Sequence, residues 1–264
     1  RRKNDEVIEH LAIDEKSYAR HHQYSSILYD VNHKRVLDLT RDRDEKSALK
    51  LIKNSLSEKQ RAQVKAVSMD MWQAYMNAAT KALPQADIVH DHFHLIKYLN
   101  QAVDQTRRQE MKDLDEERKA SLKKTRYVFL SNPINMSDAY KLKLFDLQRL
   151  NLETSKAWRL KENFKMVFKC DSIENANYVF NAWLREVKRF KIQAVSKVAE
   201  MFIAHSQGIL NYLHHRISNA MAEAINSIIQ EIKYVARGFR KYENFRIAVL
   251  FYLGKLDLYP HTFQ

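Results

Sequence analysis

One cysteine, three glycines and three prolines in 264 residues leave this chain short of the residues that staple, turn or break a fold. The lone Cys170 excludes an internal disulfide and a multi-cysteine metal site, and it reads as a small buried or half-buried side chain. Scarce Gly and Pro argue for long helices and few tight turns. No apolar run approaches the roughly 18 residues of a bilayer-spanning helix, so no membrane partner is expected. There is no fixed-period repeat and no low-complexity tract. The opening RRKNDEV has neither an initiator Met nor an apolar signal segment, and it reads as the cut end of a longer protein. Free thiol chemistry fits a reducing cytoplasm, the expected location.

What is present is a large apolar fraction and a strong positive charge. Hydrophobic residues make up 45% of the chain, enough for a core, and the aromatics are spread along it, which argues against disorder. Lys and Arg number 45 against 32 Asp and Glu, for a net charge of +13 and a pI near 9.6. That balance suits a polyanionic partner such as DNA or RNA, and equally a well-solvated surface.

Alternation and turn residues predict strands over 10–18, 24–31 and 35–40, the last two joined at Asn32-His33-Lys34. A helix is predicted over 44–56, a strand over 64–70, a helix over 73–83 before Pro84, and a short strand over 87–91. Three antiparallel strands, helix, strand, helix, strand is the order of a ribonuclease-H-like mixed sheet. From residue 92 the β signal disappears. Leu95, Leu99, Val103 and Thr106 begin a long helix running into a charged stretch, Ser137 caps a helix over 138–150, and Asp171 or Ser172 caps another carrying Val179, Trp183, Val187 and Phe190. One further amphipathic helix is predicted over 192–213, weakened by Gly208 near its end. The expected organisation is an α/β core of residues 1–91 and 214–264, interrupted by an all-α insertion over 92–213.

The last predicted helix carries Ile225, Ile228, Ile229, Ile232 and Val235 as one stripe, with Asn219, Glu223, Asn226, Ser227 and Gln230 opposite. Glu223 is thus expected to point away from the core, as any solvated surface Glu does. Gly238 is expected to end this helix.

Two Asp residues fall at strand positions where a charge needs a reason. Asp14 interrupts an apolar strand, with Glu15 on the other face; Asp70 ends a strand and precedes Met71 and Trp72. Each also fits a plain role, a strand-end or turn-capping carboxylate. Asp91 and His94 form an Asp-x-x-His pair after the fifth strand, and His94 also reads as a packing residue. Jointly, Asp14, Asp70 and Glu223 could meet at one end of the sheet, where α/β sites collect, and hold metal ions for phosphodiester chemistry. Lys233, Arg237, Arg240, Lys241 and Arg246 interleave with Tyr234, Phe239, Tyr242 and Phe245, as phosphate contacts among aromatics do; the same aromatics also read as core.

The blocks VSMDMWQAY, LPQADIVHDHFHLIKYLNQAVDQTRR, HHRISNAMAEAINSIIQEIKYVARGFRKYENFR and LDLYP, with the early IDE and YSSILYDV, resemble transposases of the bacterial ISL-three insertion-sequence family. The resemblance runs from about residue 10 to 260 and is weak across 110–210. It implies a DDE-type catalytic domain of ribonuclease-H-like fold, with a helical insertion before the Glu helix. Carried over by position, the catalytic and metal-binding acids are Asp14, Asp70 and Glu223. Asp91 and His94 support the site, and two Mg²⁺ ions, replaceable by Mn²⁺, act there. The implied partners are DNA, as element ends and target, and further copies of the chain in a homodimer or larger assembly at the bacterial nucleoid. Family members also carry an upstream Cys-rich zinc segment and a helix-turn-helix, which this sequence does not contain. The alternatives are a structure-selective nuclease or resolvase on the same fold, and a non-catalytic DNA-binding derivative.

Overall fold

The computed structural model describes residues 6–19 and 23–257. The first five residues and Leu258–Pro260 of the LDLYP block lie outside them. The described chain divides into two compact units, residues 1–91 with 215–264, and residues 92–214.

The first unit is built on a five-stranded mixed sheet. Its strands are β1 (His10–Ala19), β2 (Gln23–Asp30), β3 (Arg35–Arg41), β4 (Ala66–Met69) and β5 (Asp87–His90), in the order β3-β2-β1-β4-β5. β1–β2 and β2–β3 pair antiparallel, whereas β1–β4 and β4–β5 pair parallel. The β2–β3 turn is fixed by the buried Asp30, whose carboxylate accepts from the His33 backbone N–H at 3.1 Å and from Arg35 Nε at 3.1 Å. Lys34 there has φ 50°, a left-handed conformation in a tight turn.

Alternation gives the sheet two apolar faces. Leu11, Ile13, Leu28, Leu37, Val67 and Met69 pack on one side with α1 (Glu45–Ser55) and α3 (Gln73–Ala82). Ala12, Ile27, Tyr29, Val36 and Leu39 pack on the other with α12 (Ala220–Val235) and α13 (Tyr242–Leu253). A register shift in the β2–β3 ladder lets Val36 and Leu39 share a face despite their odd spacing. The short α2 (Glu58–Gln63) opens on a capping box in which Ser57 and Gln60 exchange bonds.

The second unit is helical throughout its described elements: α4 (His92–Asp113), α5 (Glu116–Leu122), α6 (Arg126–Leu130), α7 (Asp138–Arg149), α8 (Glu153–Phe164), α9 (Ile173–Phe190), α10 (Gln193–Ala204) and α11 (Ser206–His215), with two short 3₁₀ turns. Two expectations change here. The long helix from residue 92 stops at Asp113, because Asp115 accepts from the Arg118 N–H and starts a new one. The helix expected over 192–213 is two, broken at His205; Gly208 is buried inside the second and does not end it.

Candidate active site

Asp14 lies on β1 opposite Ile27, which packs against α12 and α13. Its side chain therefore faces those helices, while Glu15 turns the other way and pairs with Arg43 at 3.1 Å. β1 and β4 run in register, with Ala12 opposite Ser68. Continuing that register by two residues sets Asp70 beside Asp14. Asp91 extends the next ladder, its N–H donating to Met69 O at 3.1 Å. Asp70 and Asp91 thus follow the ends of β4 and β5, and Asp70 comes level with Asp14 in the middle of the neighbouring β1.

The Glu-bearing helix crosses this end, and two asparagines anchor it. The Asn219 N–H donates to Asp91 Oδ1 at 3.4 Å, and Asn226 Nδ2 donates to Asp14 Oδ2 at 2.8 Å. Seven residues of α-helix rise about 10.5 Å. Two strand spacings, from β5 across β4 to β1, amount to about 9.6 Å. The first two turns of α12 are thus long enough to reach from Asp91 to Asp14. Glu223 comes between the anchors, four residues after one and three before the other, so it shares their side of the helix.

This corrects the expected rotation of α12. Its buried residues are Ala222, Ile225, Asn226 and Ile229, and Asn219 is only 1% exposed. Ile228 and Val235, assigned to the core stripe, are exposed. The helix is turned so that amides enter the interior, and Glu223 sits at the edge of the buried arc rather than diametrically outside it. Glu223 itself is exposed. Among the described residues, no three His, Cys, Asp or Glu side chains stand close enough together to hold a metal.

The surroundings of Asp14 are built to hold one rotamer. Asn226 Oδ1 accepts from the Tyr29 hydroxyl at 2.8 Å, which fixes which end of the amide faces the carboxylate. The second Asp14 oxygen accepts from the Glu15 N–H at 2.8 Å. Burial, then the Asp14 carboxylate, push the Tyr29 hydroxyl well above its usual range, so it stays a neutral donor. Tyr75, bonded to Ser26 Oγ at 2.8 Å, is also pushed up by burial, with Glu15 and Asp14 adding to it. Ser68, on β4, and the Asn219 side chain are buried without a hydrogen-bond partner in the protein. Asp70 Oδ1 accepts from the Met71 N–H at 2.7 Å and does not cap α3. His94 belongs to the first turn of α4, in the helical unit.

The basic candidates divide. Lys233 Nζ donates to Ser17 O at 2.5 Å and ties α12 to β1; burial, then Lys16, lower its pKa. Arg246 grips Asp38 with two bonds of 2.8 Å and ties α13 to β3. Both are thus occupied by the fold. Arg237, Arg240 and Lys241 are exposed. Lys233, Arg237 and Arg240, with Tyr18 and Phe239, line an open cleft of about 590 Å³ beyond the end of α12. Helix α12 ends as Arg237 takes the left-handed conformation at φ 52°, with the Gly238 N–H returning to Lys233 O at 2.9 Å. Gly238, expected to end the helix, makes that closing bond at φ 87°, one residue after the left-handed Arg237. Of the interleaved aromatics, Tyr242 and Phe245 are core, and Tyr234 is 83% exposed.

Sequence reasoning passed over the two anchoring asparagines and Tyr29. Their signal was the spacing of Asn219, Glu223 and Asn226 on one helical side, which a simple division into polar and apolar positions assigns to solvent.

Comparison with known proteins gives the family. A transposase family profile matches residues 11–249. The chain is 27% identical over 245 residues to the transposase for insertion sequence element IS1001 of Bordetella parapertussis, covering 92% of this chain and 60% of that protein. It is 26% identical over 253 residues to the transposase for insertion sequence element IS1557 of Mycobacterium tuberculosis, covering 87% of this chain and 56% of the relative. The chain thus spans little more than half the length of these relatives. With the profile matched over nearly its whole length, the chain belongs to the ISL3 family of transposases.

Proposed function

We propose that this chain is the catalytic part of a DNA transposase on a ribonuclease-H-like core, with Asp14, Asp70 and Glu223 as its metal-binding acids. The observation that supports the reading is the pair of bonds that ties the Glu223-bearing α12 to Asp91 and to Asp14. The donor set is oxygen only, which suits Mg²⁺ or Mn²⁺ better than a softer metal. A bound pair of such ions supplies charge stabilisation to the attacking and leaving oxygens of an in-line phosphodiester displacement.

The protein's own groups do the rest. Asn226, itself fixed by Tyr29, holds Asp14 in one orientation without adding charge. Asp91 holds the start of α12 and so sets the height of Glu223 above the sheet. Arg237, Arg240 and Lys241 offer phosphate contacts that fix the strand's path but do not read its sequence. Lys233 and Arg246 act through the fold, and His94 is given no step. DNA is the substrate, as an element end and then a target, and joining two ends calls for more than one copy of the chain.

The test is Glu223→Gln in the full-length protein. The amide keeps size and helix propensity but is a poor ligand for a hard cation, so cleavage and strand transfer should both fall by about 10⁴-fold, the scale of losing one catalytic group. Stability should move by no more than about 0.5 kcal/mol, since the residue is exposed. DNA affinity should be kept. Retained cleavage removes Glu223 from the site. Cleavage by the unaltered protein without any joining of the 3′ end to target moves the reading to a nuclease or resolvase.

A further inference from the structure

Beside the acidic end of the sheet stands an aromatic group that the proposed chemistry does not use. Trp72 follows Asp70 by two residues and is 45% exposed, in contrast to Trp183 at 2%. Its ring is held from two directions. Trp72 Nε1 donates to Arg43 O at 3.0 Å, and the Arg43 guanidinium lies 5.1 Å from the indole centroid. The same guanidinium lies 5.0 Å from the centroid of Tyr24. Arg43 is fixed in turn by Glu15, which leaves β1 on the face opposite Asp14, at 3.1 Å. A cation layered between two rings and pinned by a carboxylate makes a rigid support.

We propose that Trp72, backed by Arg43 and Tyr24, is a stacking ledge for an unpaired base of the DNA strand lying in the acidic site. The inference rests on the function proposed above and adds to it how the strand is held next to the reacting phosphate. The setting favours a base over the other parts of a nucleotide. Glu15 already neutralises Arg43, and Asp42 and Asp44 are exposed nearby, so the ledge offers a phosphate little. The exposed face of an indole, by contrast, accepts any base, because every base has a π-face. The neighbourhood is charged rather than apolar, which fits a single stacked ring and not a broad protein interface. Trp72 is thereby a positioning residue. It takes no part in bond making, and it fixes the strand so that one phosphate meets the carboxylates.

The experiment titrates the full-length protein, and its Trp72→Ala and Trp72→Phe variants, with a single-stranded oligonucleotide and with the same oligonucleotide carrying abasic sites. Trp72 is the most exposed of the three tryptophans, Trp158 being half-buried and Trp183 buried, so the normal oligonucleotide should quench intrinsic fluorescence in the unaltered protein but not in Trp72→Ala, and the abasic one in neither. Trp72→Ala should bind the normal strand about 5- to 100-fold more weakly, the range of one lost stacking contact, and should no longer distinguish it from the abasic strand. Trp72→Phe keeps a ring and loses only the indole N–H bond, so it should recover most of the discrimination. If Trp72→Ala melts early, Trp72→Phe and the unaltered protein still carry the comparison. Equal binding of normal and abasic strands by the unaltered protein overturns the ledge. So does unchanged discrimination in Trp72→Ala. The ledge and the catalytic reading fail separately: quenching with cleavage intact in Glu223→Gln sinks only the acid assignment, whereas cleavage lost in Glu223→Gln with no base discrimination sinks only the ledge.

Discussion

Both units bury polar and aromatic side chains, but each gathers a different kind in one place. In the sheet unit, Asp91, Ser68, Asn219 and Asn226 are all under 10% exposed and gather at one end of one sheet face. In the helical unit, the interior is a ring cluster. Phe164 contacts Trp183 at 4.9 Å and Phe202 at 4.8 Å between centroids, and Phe180 stacks on Trp183 at 5.9 Å. Its buried cation, Lys161, donates to Phe129 O at 2.7 Å, at the end of α6, and pairs with Glu162. Aromatic packing stabilises through area and shape. Buried amides and acids contribute little net stability but fix orientation. A change in the helical unit should therefore be felt as lost stability, and a change at the sheet end as lost chemistry.

Three substitutions put that contrast at risk. The largest stability effect should come from Phe164→Ala, since Phe164 is fully buried and central to the cluster. A loss of about 3–5 kcal/mol is expected, read by denaturant unfolding, and a loss below about 1 kcal/mol would show that the cluster is loosely packed. Asn226→Ala should act the other way round. It strands the buried Tyr29 hydroxyl and frees Asp14, for about 1–3 kcal/mol in stability and a 10–100-fold fall in cleavage, as for other groups that orient a metal ligand. Adding Tyr29→Phe removes the stranded hydroxyl and should restore part of the stability but none of the activity. Recovery of both together would mean that Asn226 is merely structural.

The smallest effect is a pH dependence. Burial lowers the Lys161 pKa from its ordinary 10.5 to about 8, against the pull of Glu162. The unfolded chain therefore binds more protons than the native one between about pH 8 and 10.5, and stability contributed by this group rises across that window. The cost of burying the charge is fully present below pH 8. Lys161→Met should flatten this rise, by at most about 3 kcal/mol, in unfolding curves compared at pH 7.5 and 10. An identical pH profile in the variant would place the titration elsewhere.

Much of the fold was legible because its signals are local. The strands of the first unit follow from alternation, and the helix starts at Ser137 and Ser172 from caps that the structure shows accepting from Tyr140 and Asn175 N–H groups. What escaped was set by distant partners. Helix α8 has no side-chain cap of its own at Leu152; the Glu110 carboxylate, on α4, accepts from the Glu153 and Thr154 N–H groups at 2.7 and 2.9 Å. No nearby residue announces that start. The rotation of α12 escaped for the same reason, since Asn226 is buried only because Asp14 and Tyr29 wait for it. At the site, the strand interior carrying Asp14 and the strand end before Asp70 could be read from hydrophobic pattern, while the support of Trp72 by Arg43 depends on a loop 29 residues earlier.

The sheet unit is assembled from two stretches of chain, and synthesis imposes an order on them. Its α1–α3 face is complete once residue 91 has been made, but the face formed by Ala12, Ile27, Tyr29, Val36 and Leu39 is covered by α12 and α13. The 123 residues of 92–214 must be translated in between. At about 5–20 residues per second that takes roughly 6–25 s, far longer than the microseconds in which a hairpin forms. Any sheet that the nascent protein forms in that interval has one bare apolar side while the ribosome builds the whole helical unit, and the acidic end cannot be complete until that interval closes.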